Sequence, residues 1–122
     1  MTLVAILTVR RDRRGEFHRF EFAAAAIMAR HGGAIERTVA VDDPAAEHYR
    51  EVHLVTFPGA AAFAAYRADP ELAELAQLRE TAIVSTEVLL GEDGPTYVAG
   101  SGRVGRESDT GPIRPEGSIA PS

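Results

Sequence analysis

Hydrophobic and polar positions along the chain change period several times, and each change marks an element. Thr2–Val9 is a run of Val, Ile, Leu and Thr with apolar residues at odd and even positions alike, the pattern of a strand covered on both sides. A charged turn follows. From Gly15 onward, Phe17, Phe20, Ala24, Ile27 and Met28 recur at helical spacing, and Gly32-Gly33 supplies the left-handed geometry that ends a helix. Ala34–Val41 alternates Ile35, Arg37, Val39 and Val41 against Glu36, Thr38 and Ala40, predicting a second strand that Asp42-Asp43-Pro44 breaks. Tyr49–Phe57 reads as a third strand, closed by Pro58-Gly59. Ala60–Arg67 reads as a helix with Phe63 and Tyr66 on one face. Asp69 then caps a further helix that Pro70 begins, with Leu72, Leu75, Ala76 and Leu78 as its apolar stripe. Ile83–Leu90 is the fourth strand, before Gly91.

The order β-α-β-β-α-β is that of the ferredoxin-like α+β fold, a four-stranded antiparallel sheet with both helices on one face. It occupies residues 1–91. Residues 92–122 are rich in Gly and Pro, with scattered apolar side chains at no useful period. Such a segment cannot offset its ordering entropy alone, so a flexible C-terminal tail is expected. All four strands carry apolar residues on both faces, yet two helices cover only one. Packing the uncovered face against a copy of itself solves this, so a homodimer is expected.

Composition narrows the picture further. A length of 122 residues accommodates one small domain. Apolar residues reach 45%, but 21 residues are Ala, so the core is thin for its size. The absence of Cys removes disulfides, thiolate metal sites, iron–sulfur clusters and a cysteine nucleophile. A net charge of −5 argues against a nucleic-acid partner, whose phosphates need clustered basic residues. Thr2–Val9 is too short to span a bilayer, and Arg10, Arg11, Arg13 and Arg14 follow it where a secretory signal has them before. A cytoplasmic protein without membrane contact is therefore expected.

His31-Gly32-Gly33 leads into Ile35-Glu36-Arg37. Val52-His53-Leu54-Val55-Thr56-Phe57-Pro58 comes next, then Phe63, Tyr66, Asp69-Pro70, Leu75 and Arg79. In this order and spacing the chain resembles the dimeric α/β-barrel superfamily over residues 2–91, nearest a small-protein branch related to antibiotic-biosynthesis monooxygenases and polyketide cyclases. The resemblance implies two such sheets packed face to face across a dimer, with a ligand cavity between sheet and helices. Its members include cofactor-independent monooxygenases, polyketide cyclases, lactone isomerases and haem-degrading enzymes. The chain departs from the better-known oxygenases in lacking Trp and shows no haem-ligand motif. A fold shared by so many reactions does not choose one.

Five residues carry the candidate chemistry. His53 interrupts an apolar strand, on a face with Glu51, Val55 and Phe57. There it is either an acid/base at a cavity wall or a core or interface imidazole with one satisfied hydrogen bond. Glu87 alternates with Ile83, Ser85 and Leu89. An ionised carboxylate there needs a partner or a pocket. With the first strand lying between theirs, His53 and Glu87 are expected roughly 10 Å apart, as two catalytic walls around a small ligand. Arg79 and Arg37 are candidate anchors for a carboxylate or enolate. Arg79 equally serves as a helix C-terminal charge or pairs with Glu80 or Glu87. Tyr66, beside Phe63, is a third substrate-binding candidate or a core residue with a polar tip. His31 complements a helix dipole and needs no further role. The four His show no tight ligand spacing, so no metal is expected, and no Gly-rich phosphate cradle or nucleophile elbow is present.

Two functions fit. One is a cofactor-independent cyclase, isomerase or monooxygenase acting on a carbonyl-bearing, polyketide-like metabolite, with His53 and Glu87 as acid/base groups and Arg79 as anchor. The other is a non-catalytic homodimer that binds a small ligand or a partner protein. A cavity with convergent polar groups favours the first, and one filled by side chains the second.

Overall fold

Four strands, β1 (Thr2–Arg10), β2 (Ala34–Val41), β3 (His48–Thr56) and β4 (Ile83–Gly91), form one antiparallel sheet of order β2-β3-β1-β4 in a computed structural model. The structure describes residues 1–98. β1 is paired along both edges, which suits the strand whose apolar residues occupy both faces. A turn of 3-10 helix (Arg11–Arg13) precedes α1 (Arg14–Arg30), and α2 (Ala60–Arg67), α3 (Pro70–Ala73) and α4 (Ala76–Ala82) connect β3 to β4. The chain therefore has the ferredoxin-like α+β fold.

The helical stripe of α1 is buried as its period requires, Phe17, Phe20, Ala24, Ile27 and Met28 all facing inward. Asp69 accepts from the Glu71 N–H at 2.9 Å and caps α3, with Pro70 in its first turn. One continuous helix from Pro70 is not what forms. The Leu75 N–H bonds to Leu72 O at 3.0 Å, a tighter turn that splits α3 from α4 and lets Leu72, Leu75 and Leu78 all lean on the core. The core itself is two clusters. Leu7, Val9, Phe17, Phe20, Ala24, Tyr49, Ala82 and Ile83 form one, and Leu3, Met28, Val55 and Phe57 the other.

Among the described residues, none covers the opposite face of the sheet. Leu54, Val39 and Leu89 on it are 41–48% exposed, beside Val4, Ile6 and Val52. Beyond β4, residues 92–98 form neither helix nor strand, and Thr2 Oγ1 donates to Asp93 Oδ1 at 2.7 Å. The rest of the stretch expected to be a tail lies outside the described residues. No helix among them is long and apolar enough to cross a membrane.

α1 ends in a Schellman turn. The Gly33 N–H reaches Met28 O and the Gly32 N–H reaches Ala29 O, both at 3.0 Å, with Gly32 at φ 76°. Gly33 is constrained by contact instead. A Cβ there would lie 2.5 Å from the Phe57 ring and 2.6 Å from Met28 Cγ, both core atoms. Gly33→Ala is thus expected to destabilise the fold by about 1–3 kcal/mol through overpacking, read from the urea midpoint. An unchanged midpoint would show that the ring and thioether yield freely.

Candidate active site

Between the covered face of the sheet and the helices lies a cavity of about 430 Å³. It exists because small side chains stand where large ones would meet. Ala5 on β1, Ala24 on α1 and Ala76 on α4 all line it, while Phe20, Met28, Phe57 and Phe63 form its apolar walls. The Ala-rich composition that thins the core is here an empty space of ligand size.

The polar groups converge on one imidazole. His53 is 3% exposed and lines the cavity from β3, next to Ala5 in register. Its Nε2 lies 2.7 Å from Glu51 Oε1, two residues earlier on the same face. A carboxylate only accepts, so Nε2 carries the hydrogen and Nδ1 presents its lone pair. Nδ1 in turn lies 3.7 Å from Glu21 Oε1 on α1, longer than a hydrogen bond. Burial pushes the Glu21 carboxyl up to about 7. His53 opposes that rise, the like charge of Glu51 adds to it, and Arg79 opposes it. Arg79, on α4, donates to Thr86 Oγ1 at 2.8 Å, and both line the cavity. Tyr66 closes the α2 side, packed against the Phe57 ring, and burial pushes its phenol up to about 12, with Glu21 adding to the rise. Among the described residues no group of three or more His, Cys, Asp or Glu side chains is arranged to hold a metal ion.

Of the five candidates, the structure brings His53, Arg79 and Tyr66 together and leaves two outside. Glu87 stands on the open face, opposite Ile6 and in line with Val52. The expectation that it shares a cavity with His53 is corrected. The cause is a register shift between Thr8 and Val9, across which Ile83 pairs with Val9 but Ser85 pairs with Thr8. The extra residue flips the alternation, so Thr86 and Val88 face the cavity and Glu87 faces away. Arg37 is corrected for the same reason. A shift between Ile35 and Arg37 leaves Ile35 on the cavity wall and puts Arg37 opposite Leu54 on the open face. Arg79 pairs with neither Glu80 nor Glu87 but with Thr86. His31 has a partner besides the helix dipole, Asp69 Oδ2 at 2.8 Å.

Sequence reasoning passed over Glu21 and treated Glu51 only as a neighbour. The signal for Glu21 was present. It lies four residues after Phe17 and three before Ala24, on the buried stripe of α1. A carboxyl on that stripe is a polar group committed to the interior. Raised in the fold from an ordinary 4.5 to about 7, it holds a proton the unfolded chain has already lost between those values. Stability should therefore fall as pH rises through that window, by roughly 3 kcal/mol, and level off above it. Glu21→Gln is expected to remove the slope and to be the more stable protein at alkaline pH. Urea unfolding of both proteins at a series of pH values checks this, and parallel curves would refute it.

A scan against family models and a search of curated proteins both find no match. Solved structures do match in shape. A protein of unknown function from Rhodopseudomonas palustris superposes with a TM-score of 0.63 at 19% identity, covering 77% of this chain and 83% of its own. SnoaB, a cofactor-independent oxygenase from Streptomyces nogalater, gives 0.52 at 19% identity over 76% of this chain and 93% of its own. A structure described as an antibiotic biosynthesis monooxygenase gives 0.55 at 12% identity over 77% and 98%. At these identities what is shared is the fold, and the chain has the ferredoxin-like architecture common to these three structures.

Proposed function

We propose that the protein is an enzyme of small-molecule metabolism that uses its own side chains for proton transfer on a carbonyl-bearing, polyketide-like compound. The observation that carries this reading is His53. Its Nε2 is held by Glu51, and its Nδ1 faces Glu21 Oε1 at 3.7 Å in a mostly apolar cavity with Arg79 and Tyr66 on other walls. An imidazole with its tautomer fixed in this way presents a lone pair that can serve as a general base. His53 Nδ1 takes a proton from the carbon next to the carbonyl, and the C–H pair shifts into the enolate. Arg79 holds the oxygen on which the charge collects. Tyr66, its phenol kept protonated by burial, can donate a second hydrogen bond.

Three outcomes are open to such an enolate. Reprotonation elsewhere is isomerisation, and attack on a second carbonyl is cyclisation. Reaction of a CH₂ with dioxygen gives C=O and water, a monooxygenation. The name of the Streptomyces oxygenase favours the third. A purely binding role explains less well a base with an oriented tautomer and no ligand-sized filler beside it.

The shared first step can be tested without the natural substrate. Anthrone and tetralone in D₂O are expected to exchange their acidic C–H faster with the protein than in buffer, read by proton NMR. His53→Gln should lower that acceleration by roughly 10²-fold or more and Arg79→Gln by roughly tenfold. Glu87→Gln should leave it unchanged. Exchange at the buffer rate, or a fully active His53→Gln, would remove the proposal.

We also propose that the open sheet face joins two copies of the chain. An apolar face of this kind is costly in water, and Arg37 and Glu87 give it charges of both signs. Light scattering should give twice the 13.1 kDa mass of the chain. Leu54→Arg should return it to the single-chain value, and a wild-type monomer would refute the assembly.

A further inference from the structure

The charges around the cavity do not balance through pairs. Glu51 is committed to His53 Nε2. Among the described residues, Arg79 forms no salt bridge, its hydrogen-bond partner being the neutral hydroxyl of Thr86. Glu21 lies on the same cavity, 3.7 Å from His53 Nδ1, in a side chain that is 17% exposed. Arg67, stacked over the Phe63 ring, lines the cavity too and forms no salt bridge among the described residues, so two solvent-exposed guanidinium groups have no counter-ion there and one carboxyl has no cation within hydrogen-bonding distance. A guanidinium stays charged at any ordinary pH, whereas a buried carboxyl can give up its charge by binding a proton.

We propose that the cavity is a site for an organic anion with an apolar body, and that the anion enters together with a proton bound by Glu21. The anionic head pairs with Arg79, and the apolar walls take the rest of the molecule. With Glu21 protonated, the walls offer Arg79 without a competing charge. With Glu21 ionised, the incoming anion meets a second negative group in a medium of low polarity, so each binding event must carry a proton in. The groups facing Glu21 are His53 and Glu51 on β3, Arg79 on α4 and Tyr66 on α2. The His53→Gln variant separates any contribution of the imidazole from that of Glu21. This inference rests on the same cavity as the catalytic reading and narrows its substrate to compounds bound as carboxylates, enolates or phenolates. It needs no turnover.

Two fluorescent probes of nearly equal shape decide it, the permanently anionic anilinonaphthalene sulfonate and the neutral phenylnaphthylamine. For the wild-type protein, affinity for the sulfonate should be level at acid pH and weaken by up to roughly tenfold per pH unit above neutrality. The neutral probe should show no such slope. Glu21→Gln should bind the sulfonate with a level profile, His53→Gln should keep the slope, and Arg79→Gln should lose the preference for the anion. Binding to the open sheet face adds a background common to wild type and Glu21→Gln, and it cancels in the comparison. Calorimetry of the sulfonate at about pH 8, in buffers of different ionisation enthalpy, should register close to one proton taken up by wild type and none by Glu21→Gln.

A slope that persists in Glu21→Gln and vanishes in His53→Gln would overturn the proposal. So would equal slopes for both probes, the absence of proton uptake, or failure of both probes to bind. Any of these results combined with His53-dependent exchange of anthrone would leave the base standing and remove only the anion site. Loss of exchange with an intact Glu21-dependent slope would do the reverse.

Discussion

β1 is hydrogen-bonded along both of its edges, and its alternation of Leu3, Ala5, Leu7 and Val9 against Val4, Ile6 and Thr8 divides the molecule into two sides. The helices pack on the first side, and among the described residues none packs on the second. The rule that neighbouring residues point opposite ways then decides, for every strand paired outward from β1, which side chains see the cavity. Bulges are the points at which that rule is reset. The one beside Val9 sends Thr86 inward and Glu87 outward, and the one beside Ile35 sends Arg37 outward. A change of one residue in register is therefore a change of chemistry.

Burying an imidazole between two carboxyls is expensive unless each group is satisfied. The fold meets that demand unevenly. Glu51 and His53 satisfy each other at 2.7 Å, within a single strand, where position is fixed by the backbone. Glu21 comes from a different element, stops short of hydrogen-bonding distance, and answers burial by holding its proton up to about pH 7. The base and its support are rigid, while the second carboxyl responds to its surroundings. That division of labour between a fixed pair and an adjustable neighbour is what gives a mostly apolar cavity a defined polarity.

The element order, the sheet and most element boundaries were legible because each rests on a local rule. The Gly32-Gly33 stop, the Asp69 cap before Pro70 and the period of Phe17 to Met28 all act within a few residues. His53, Arg79 and Tyr66 could be singled out for the same reason, as polar groups in apolar company. What could not be read was anything set by pairing between distant strands. Ile83, Ser85 and Glu87 alternate without interruption in the sequence, and only the Thr8–Ser85 and Val9–Ile83 pairs reveal the extra residue. Glu21 is the opposite case. Its place on the buried stripe is visible in its spacing from Phe17 and Ala24.

α2 contributes Phe63 and Tyr66 to the cavity although none of its own residues is fully buried. It packs on the core only partly, through Ala62, Phe63 and Tyr66, and the His31–Asp69 contact and the Arg30 pairs to Asp69 and Glu71 hold the chain just beyond its end. A wall with so small a share in the core can change its side chains at little cost in folding free energy. Across generations, such a helix lets the ligand preference of the cavity drift while the sheet, the base and its carboxylate stay as they are. Relatives built on this plan should therefore differ most in the stretch between β3 and β4, and their diversity of substrates should follow that stretch more closely than it follows the sheet.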